Sequence, residues 1–138
     1  MDDIFVGRLM SSPVTTVAAD ASAESVAEQL LDEGISSVVV VDDENRIEGI
    51  LTSTDFVRIA AQGGRTSAVT VADHMTTDVV TTSVNESIER VADLMIEEGI
   101  HHVPVVDDTE GVVGIITTTD LTAYLSGIED PSPARVAN

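Results

Sequence analysis

Apolar positions recur at helical spacing twice along the chain. The first set is Ala23, Val26, Ala27, Leu30 and Leu31; the second is Ile88, Val91, Ala92, Met95 and Ile96. Each set predicts a helix buried along one stripe. Ser22 and Ser87 stand where an N-cap side chain takes up a free amide, and Gly34 and Gly99 stand where a left-handed residue ends a helix. Two apolar runs follow each helix. Val38–Val41 and Val103–Val106 are apolar without alternation, as in a strand covered on both faces. Ile47–Thr52 and Val112–Thr117 are the second strands, and the acidic pairs Asp42-Asp43 and Asp107-Asp108 sit between the strands as turn formers. A shorter apolar stretch precedes each helix, Val14–Val17 or Val79–Thr82, and a short helix begins near Thr54 or Thr119. The predicted order in each half is β-α-β-β-α.

The two halves are copies. Residues 6–61 lie over 71–126 with a shift of 65 and no gap, and 21 of the 56 pairs are identical. This is an internal duplication. It divides the chain into repeat one at 1–66, repeat two at 67–128, and a tail, 129–138, whose Pro131 and Pro133 predict a mobile end. A copy of about 55 residues is small for independent stability. The expected fold is therefore α/β (α+β), two β-α-β-β-α repeats packed with pseudo-two-fold symmetry.

Composition narrows the function. The core must be aliphatic, because aromatic residues are only 2% of the chain. With no cysteine, disulfides and thiolate metal sites are excluded, and a reducing, cytoplasmic setting fits. The N-terminus has no signal-peptide pattern, and no stretch approaches the ~20 apolar residues of a membrane span. Charge is extreme: 25 carboxylates face 6 basic residues, all arginine, for a net charge of −19. The acids are interspersed with apolar residues, so they predict a solvated acidic surface rather than a disordered tail. Acidic excess without lysine resembles proteins of extreme halophiles, whose surfaces work in concentrated, screening salt. The same balance argues against nucleic acid and anionic membrane as partners.

The most repetitive stretch is "GILTSTD" at 49–55 and "GIITTTD" at 114–120. Each lies where a strand ends and a helix begins. Two readings are open on physical grounds. The hydroxyls and the carboxylate could cap the free amides of the helix. Alternatively, amides and hydroxyls could hold a phosphate while the aspartate accepts the two hydroxyls of a ribose.

The element order, the "GI-xx-VPVVDD" strand and turn, and the closing "G-apolar-apolar-T-x-T-D" resemble the cystathionine-β-synthase (CBS) domain. Two copies in tandem, over about residues 6–126, resemble a CBS pair in a stand-alone protein. The resemblance implies that Asp55 and Asp120 hold ribose hydroxyls. Thr52, Thr54, Thr117 and Thr119 would contact phosphate or ribose. It implies composite sites, each joining the adenine pocket of one copy to the aspartate of the other. Site one would be Val14, Ile35, Ser36 and Ser37 with Thr117, Thr119 and Asp120. Site two would be Val79, Ile100, His101 and His102 with Thr52, Thr54 and Asp55.

Adjacent His101 and His102 on an extended segment point to opposite faces, which disfavours a shared metal. His101 is a candidate phosphate contact that strengthens as pH falls, and one of the pair is a candidate structural histidine. Arg58 and Arg8 are the nearest further cations by position. So few cations favour AMP over ADP or ATP as regulatory ligand, and S-adenosylmethionine, which occurs in the family, would suit an acidic pocket. No nucleophile–base arrangement, phosphate-loop lysine or GxGxxG stands out, so the chain is read as a non-enzymatic module. It would signal to a separate partner, an enzyme or a transporter. The alternative is a structural homodimer or scaffold without nucleotide binding. It would associate through the helical faces 54–61 and 119–125, where Phe56, Val57, Ile59, Leu121, Tyr124 and Leu125 are expected to be exposed.

Overall fold

The computed structural model describes residues 4–127, and the predicted mobile tail 129–138 lies outside them. The chain folds into two compact units. One comprises the N-terminal segment to Val14 together with the chain from Val80 onward; the other is Thr15–Val79. The spatial units cut across the sequence repeats at 1–66 and 67–128, because the opening segment of each repeat joins the unit of the other.

The Thr15–Val79 unit contains β1 (Thr16–Val17), α2 (Ala23–Glu33), β2 (Ser37–Val41), β3 (Ile47–Thr52), α3 (Ser53–Ala61) and the one-turn helix α4 (Val71–His74). Strand β2 is central, parallel to β1 and antiparallel to β3. The second unit contains α1 (Val6–Leu9), α5 (Ile88–Glu98), β4 (His102–Asp107), β5 (Gly111–Thr117) and α6 (Thr118–Leu125), with β4 and β5 antiparallel.

The helix signals act as their chemistry requires. The Ser22 and Ser87 hydroxyls accept from the amides of Ser25 and Arg90. Gly34 and Gly99 adopt φ of 65° and end α2 and α5, a conformation that costs glycine little. The acidic pairs are turn formers. Asp42 Oδ1 accepts from the amides of Glu44 and Arg46, and Asp107 Oδ2 accepts from those of Thr109 and Glu110.

Each core is aliphatic. In the Thr15–Val79 unit, Val26, Leu30, Val38, Val40, Leu51 and Val71 are buried together. In the other, Val6, Val91, Met95, Val103, Val105 and Ile116 are. Val71 and Val6 come from α4 and α1, so each core is completed by the one-turn helix that opens the other repeat. Val71 N donates to Ala21 O at 2.9 Å, and Val6 N donates to Glu86 O at 2.9 Å.

Two expectations are corrected. The first strand of repeat two, expected over Val79–Thr82, shrinks to a single parallel bridge between Thr82 and Val105. In repeat one, Val39 N donates to Thr15 O at 3.1 Å. Its counterpart is Pro104, which has no N–H to give. The ladder loses that rung, and only the bonds Thr82 N to Pro104 O and Val106 N to Thr82 O remain. The expected apolar face on α3 and α6 is also mostly spent inside the units. Ile59 is buried, and Phe56 and Leu121 pack against the two cores. Tyr124 is half-buried, leaving Val57 and Leu125 exposed.

The repeated glycine of "GILTSTD" and "GIITTTD" has a structural cause. Ile50 exchanges backbone hydrogen bonds with Thr76, and Ile115 does so with Ser11. That seats a chain segment flush against Gly49 and Gly114. A Cβ at Gly49 would meet Met75 Sδ at 2.7 Å and Thr76 O at 2.8 Å; at Gly114 it would meet Met10 Sδ at 2.7 Å and Ser11 O at 2.9 Å. A methionine side chain can move, but the carbonyl is held by its own ladder bond. We expect Gly114→Ala to cost about 1–3 kcal/mol in a denaturation midpoint series, as overpacking does. Adding Met10→Ala should not restore the loss. Full recovery in the double variant would show the contact to be with the thioether alone.

Candidate functional site

The site is built on the corner where each second strand turns into its last helix. In the first copy, Asp55 is the third residue of α3 and is only 5% exposed. Its Oδ2 accepts from Thr52 N at 2.8 Å and from Thr52 Oγ1 at 3.2 Å. This is a capping box, with the Thr52 hydroxyl taking the Asp55 amide in return. Asp120 repeats the arrangement at the start of α6. Its Oδ2 accepts from Thr117 N at 2.8 Å and from Thr117 Oγ1 at 3.1 Å, and its amide donates to Thr117 Oγ1 at 3.2 Å. The capping reading of T-x-T-D is therefore correct for Thr52, Thr117 and one oxygen of each aspartate.

The first amide of each helix is also taken. Ser53 N donates to Ser36 O at 2.9 Å, and Thr118 N donates to His101 O at 3.0 Å. With the first and third amides engaged, the second remains. Among the described residues, no partner takes the Thr54 or Thr119 amide or hydroxyl, and both side chains are exposed. Each corner thus offers an N–H and an O–H from one threonine, beside a buried carboxylate.

The two carboxylates differ. Asp55 Oδ1 accepts from Arg58 Nη1 at 2.9 Å, an ion pair one turn along α3. Asp120 Oδ1 accepts from no donor among the described residues, yet it is not sealed from solvent. Burial pushes the Asp120 carboxyl above the ordinary aspartate range, against the lowering pull of the Thr117 amide and hydroxyl.

The other predicted residues distribute as follows. In the Thr15–Val79 unit, Ser37 pairs with Thr52 across β2 and β3, and Ile35 and Ser36 lead directly into that pair. Val79 follows the Thr76 bridge to β3. In the other unit, His102 pairs with Thr117, with Ile100 and His101 just ahead. Val14 follows the Ser11 bridge to β5. Each unit therefore gathers one T-x-T-D corner, the predicted residues ahead of its central strand, and one of the two valines.

His101 is exposed and His102 half-buried. Burial first, and then the neighbouring His101, hold the His102 imidazole below the ordinary histidine value, so His102 supplies no cation near neutral pH. Among the described residues, no group of three or more His, Asp or Glu side chains could hold a metal, and no helix is long and apolar enough to cross a membrane. Sequence reasoning missed the Arg58–Asp55 pair; its signal was the i, i+3 spacing on a helix that had already been predicted.

The CBS domain model matches residues 6–62 and 71–127, and this chain belongs to the CBS domain family, with two domains in tandem. A solved CBS domain pair, in complex with 5′-methylthioadenosine and S-adenosyl-L-methionine, is 32% identical. It superposes with a TM-score of 0.85 over 91% of this chain and 98% of that one. An uncharacterized protein of Methanopyrus kandleri is 30% identical over 88% of this chain, which covers 62% of its length. L-aspartate semialdehyde sulfurtransferase of Methanocaldococcus jannaschii is 33% identical over 88% of this chain, which covers 23% of it. The chain thus spans less than two thirds of these curated relatives.

Titration of Asp120 gives a signed prediction. Its folded pKa is raised above the unfolded value, so its stabilising contribution is present below the unfolded pKa and is lost as pH rises through the folded one. As pH rises above the ordinary aspartate value of about 3.9, the wild type should lose stability relative to Asp120→Asn. Urea midpoints of the two proteins across that rise test it. A constant difference would mean that the carboxyl is not desolvated.

Proposed function

We propose that this chain is a regulatory module that binds an adenosine-containing ligand through its T-x-T-D corners and signals to a partner protein. The observation that carries the reading is the uncommitted Oδ1 of buried Asp120, beside the open amide and hydroxyl of Thr119. A carboxylate oxygen in that setting is an acceptor for a ribose hydroxyl, and the threonine is a donor pair for a ligand oxygen. The 32% identical pair that holds 5′-methylthioadenosine and S-adenosyl-L-methionine supports the ligand class.

Thr52, Thr54 and Asp55, with Thr117, Thr119 and Asp120, are the proposed ribose and phosphate contacts. Val14, Ile35, Ser36 and Ser37, with Val79, Ile100, His101 and His102, are the proposed base-side contacts. AMP is the proposed nucleotide, since Arg58 is the cation placed on a corner. The partner is an enzyme or transporter, in the cytoplasm, and the chain itself performs no reaction.

A homodimer is the second reading, favoured by one observation. Leu31 and Ile96, at the same position in the two repeats, are 83% and 80% exposed. Such side chains on matching helices suit burial against a second copy. Light scattering at several concentrations decides this; a monomer throughout rejects it.

Calorimetric titration with AMP, ATP and S-adenosylmethionine in about 1 M potassium chloride, where charge screening is strong, tests the main reading. Asp120→Ala should weaken one class of site by about 1.5–3 kcal/mol, the cost of a lost charged acceptor. It should also lower stability by about 1 kcal/mol through the lost cap. Saturable binding that is indifferent to both Asp120→Ala and Asp55→Ala would place the site elsewhere.

The working medium is part of the proposal. A net charge of −19 without lysine suits concentrated salt. The thermal midpoint should therefore rise steadily as potassium chloride increases from about 0.1 to 3 M, a range that cuts the screening length from about 10 Å to 3 Å or less. A flat profile would remove the halophilic reading.

A further inference from the structure

The two copies diverge one turn past the aspartate. Position 58 is arginine, and its counterpart 65 residues later is Ala123, buried at 2% exposure. Arg58 is held by Asp55 at 2.9 Å, but its side chain remains 58% exposed. A guanidinium carries five N–H donors in a fixed fork. One is spent on Asp55 Oδ1, and among the described residues the others have no protein partner. The Asp55 corner therefore presents a neutralised carboxylate and a pre-oriented cation. The Asp120 corner presents a carboxylate with one free oxygen and no arginine. Titratable groups on the elements packed around it are Tyr124 on α6 itself, His101 and His102 at the start of β4, Arg8 on α1 and the Glu89, Arg90, Asp93, Glu97 and Glu98 side chains of α5, and among the described residues none of them forms an ion pair with Asp120.

We propose that the two copies select adenosine ligands of different charge. The Asp55 corner, armed with Arg58, takes a ligand with a 5′-phosphate. The Asp120 corner takes one whose 5′ substituent is neutral or cationic. The inference rests on the corners being adenosine sites. An anion brought to Asp120 would face an uncompensated carboxylate in a chain already rich in negative charge. The same anion at Asp55 meets an arginine whose fork matches phosphate geometry. A neutral nucleoside gains nothing from Arg58, and at Asp55 it must compete with the guanidinium for Oδ1. At Asp120 it finds that oxygen open.

The test is calorimetry with AMP and with adenosine at about pH 8, well above the reference imidazole pKa. It uses the wild type, Arg58→Ala, Arg58→Lys and Asp120→Asn. Arg58 is exposed enough for its variants to stay folded, and their circular dichroism melts confirm that. Arg58→Ala should weaken AMP about tenfold or more, as loss of a charge-assisted contact does, while adenosine binds as well as before. Arg58→Lys should recover part of the AMP affinity. Asp120→Asn should weaken adenosine and spare AMP. If Arg58→Ala weakens both ligands equally, or neither, the charge split is wrong while the adenosine reading stands. If the wild type binds neither ligand, the adenosine reading fails and this inference fails with it.

Discussion

Each repeat ends on a carboxylate that is buried because it is needed at the start of a helix. Asp55 and Asp120 close their capping boxes with one oxygen, and the geometry of the corner follows from that contact. It fixes the helix on the strand that feeds it, turns the following threonine outward, and leaves one amide of the first turn without a partner among the described residues. The cap and the candidate site are thus one arrangement. Burying an aspartate is unfavourable unless its charge is met by donors; here the backbone and a threonine meet half of it. The other half is where the copies part company, an arginine in one and open acceptor capacity in the other.

That division separates what the duplication holds constant from what it varies. The scaffold residues are held in register: glycines at 49 and 114, the caps, the acidic turns and the valines of the central strand. The differences sit around the corners. Ser36-Ser37 stands against His101-His102, Arg58 against Ala123, and Val39 against Pro104. Two of these three pairs change the charge or hydrogen-bonding character of the corner, and one of them also exchanges an exposed arginine for a buried alanine. The third weakens an edge of the sheet in one unit only, by removing a single donor.

Much of this was legible in sequence because it is carried by local chemistry. The periodicity of α2 and α5, their serine caps and their glycine stops each act within one or two turns, and a shift of 65 residues displays them twice. The capping box was legible as one of two options, and the fold shows one oxygen per aspartate spent on it. What escaped has non-local causes. Helices α1 and α4 are single turns of four residues, too short for a periodicity, and each is stabilised by placing one valine in a core assembled from distant sequence. The local signal for α4 is Thr70 and Asp73, a third capping pair. Ile59 was taken for surface because a nine-residue helix carries too few apolar positions to say which of them faces inward. The first strand of repeat two failed because of a proline on the strand beside it, which no pattern within Val79–Thr82 records.

The traded helices bear on the duplication itself. A chain carrying one repeat would place Val6 or Val71 outside its own core, since each core is completed by the segment that opens the other repeat. Two separate single copies with this segment order could complete each other's cores by exchanging that turn of helix. Fusion of two copies turns such an exchange between molecules into one within a chain, where tethering supplies an effective concentration on the order of millimolar for a short linker. The duplication thus makes the folding of each core independent of protein concentration.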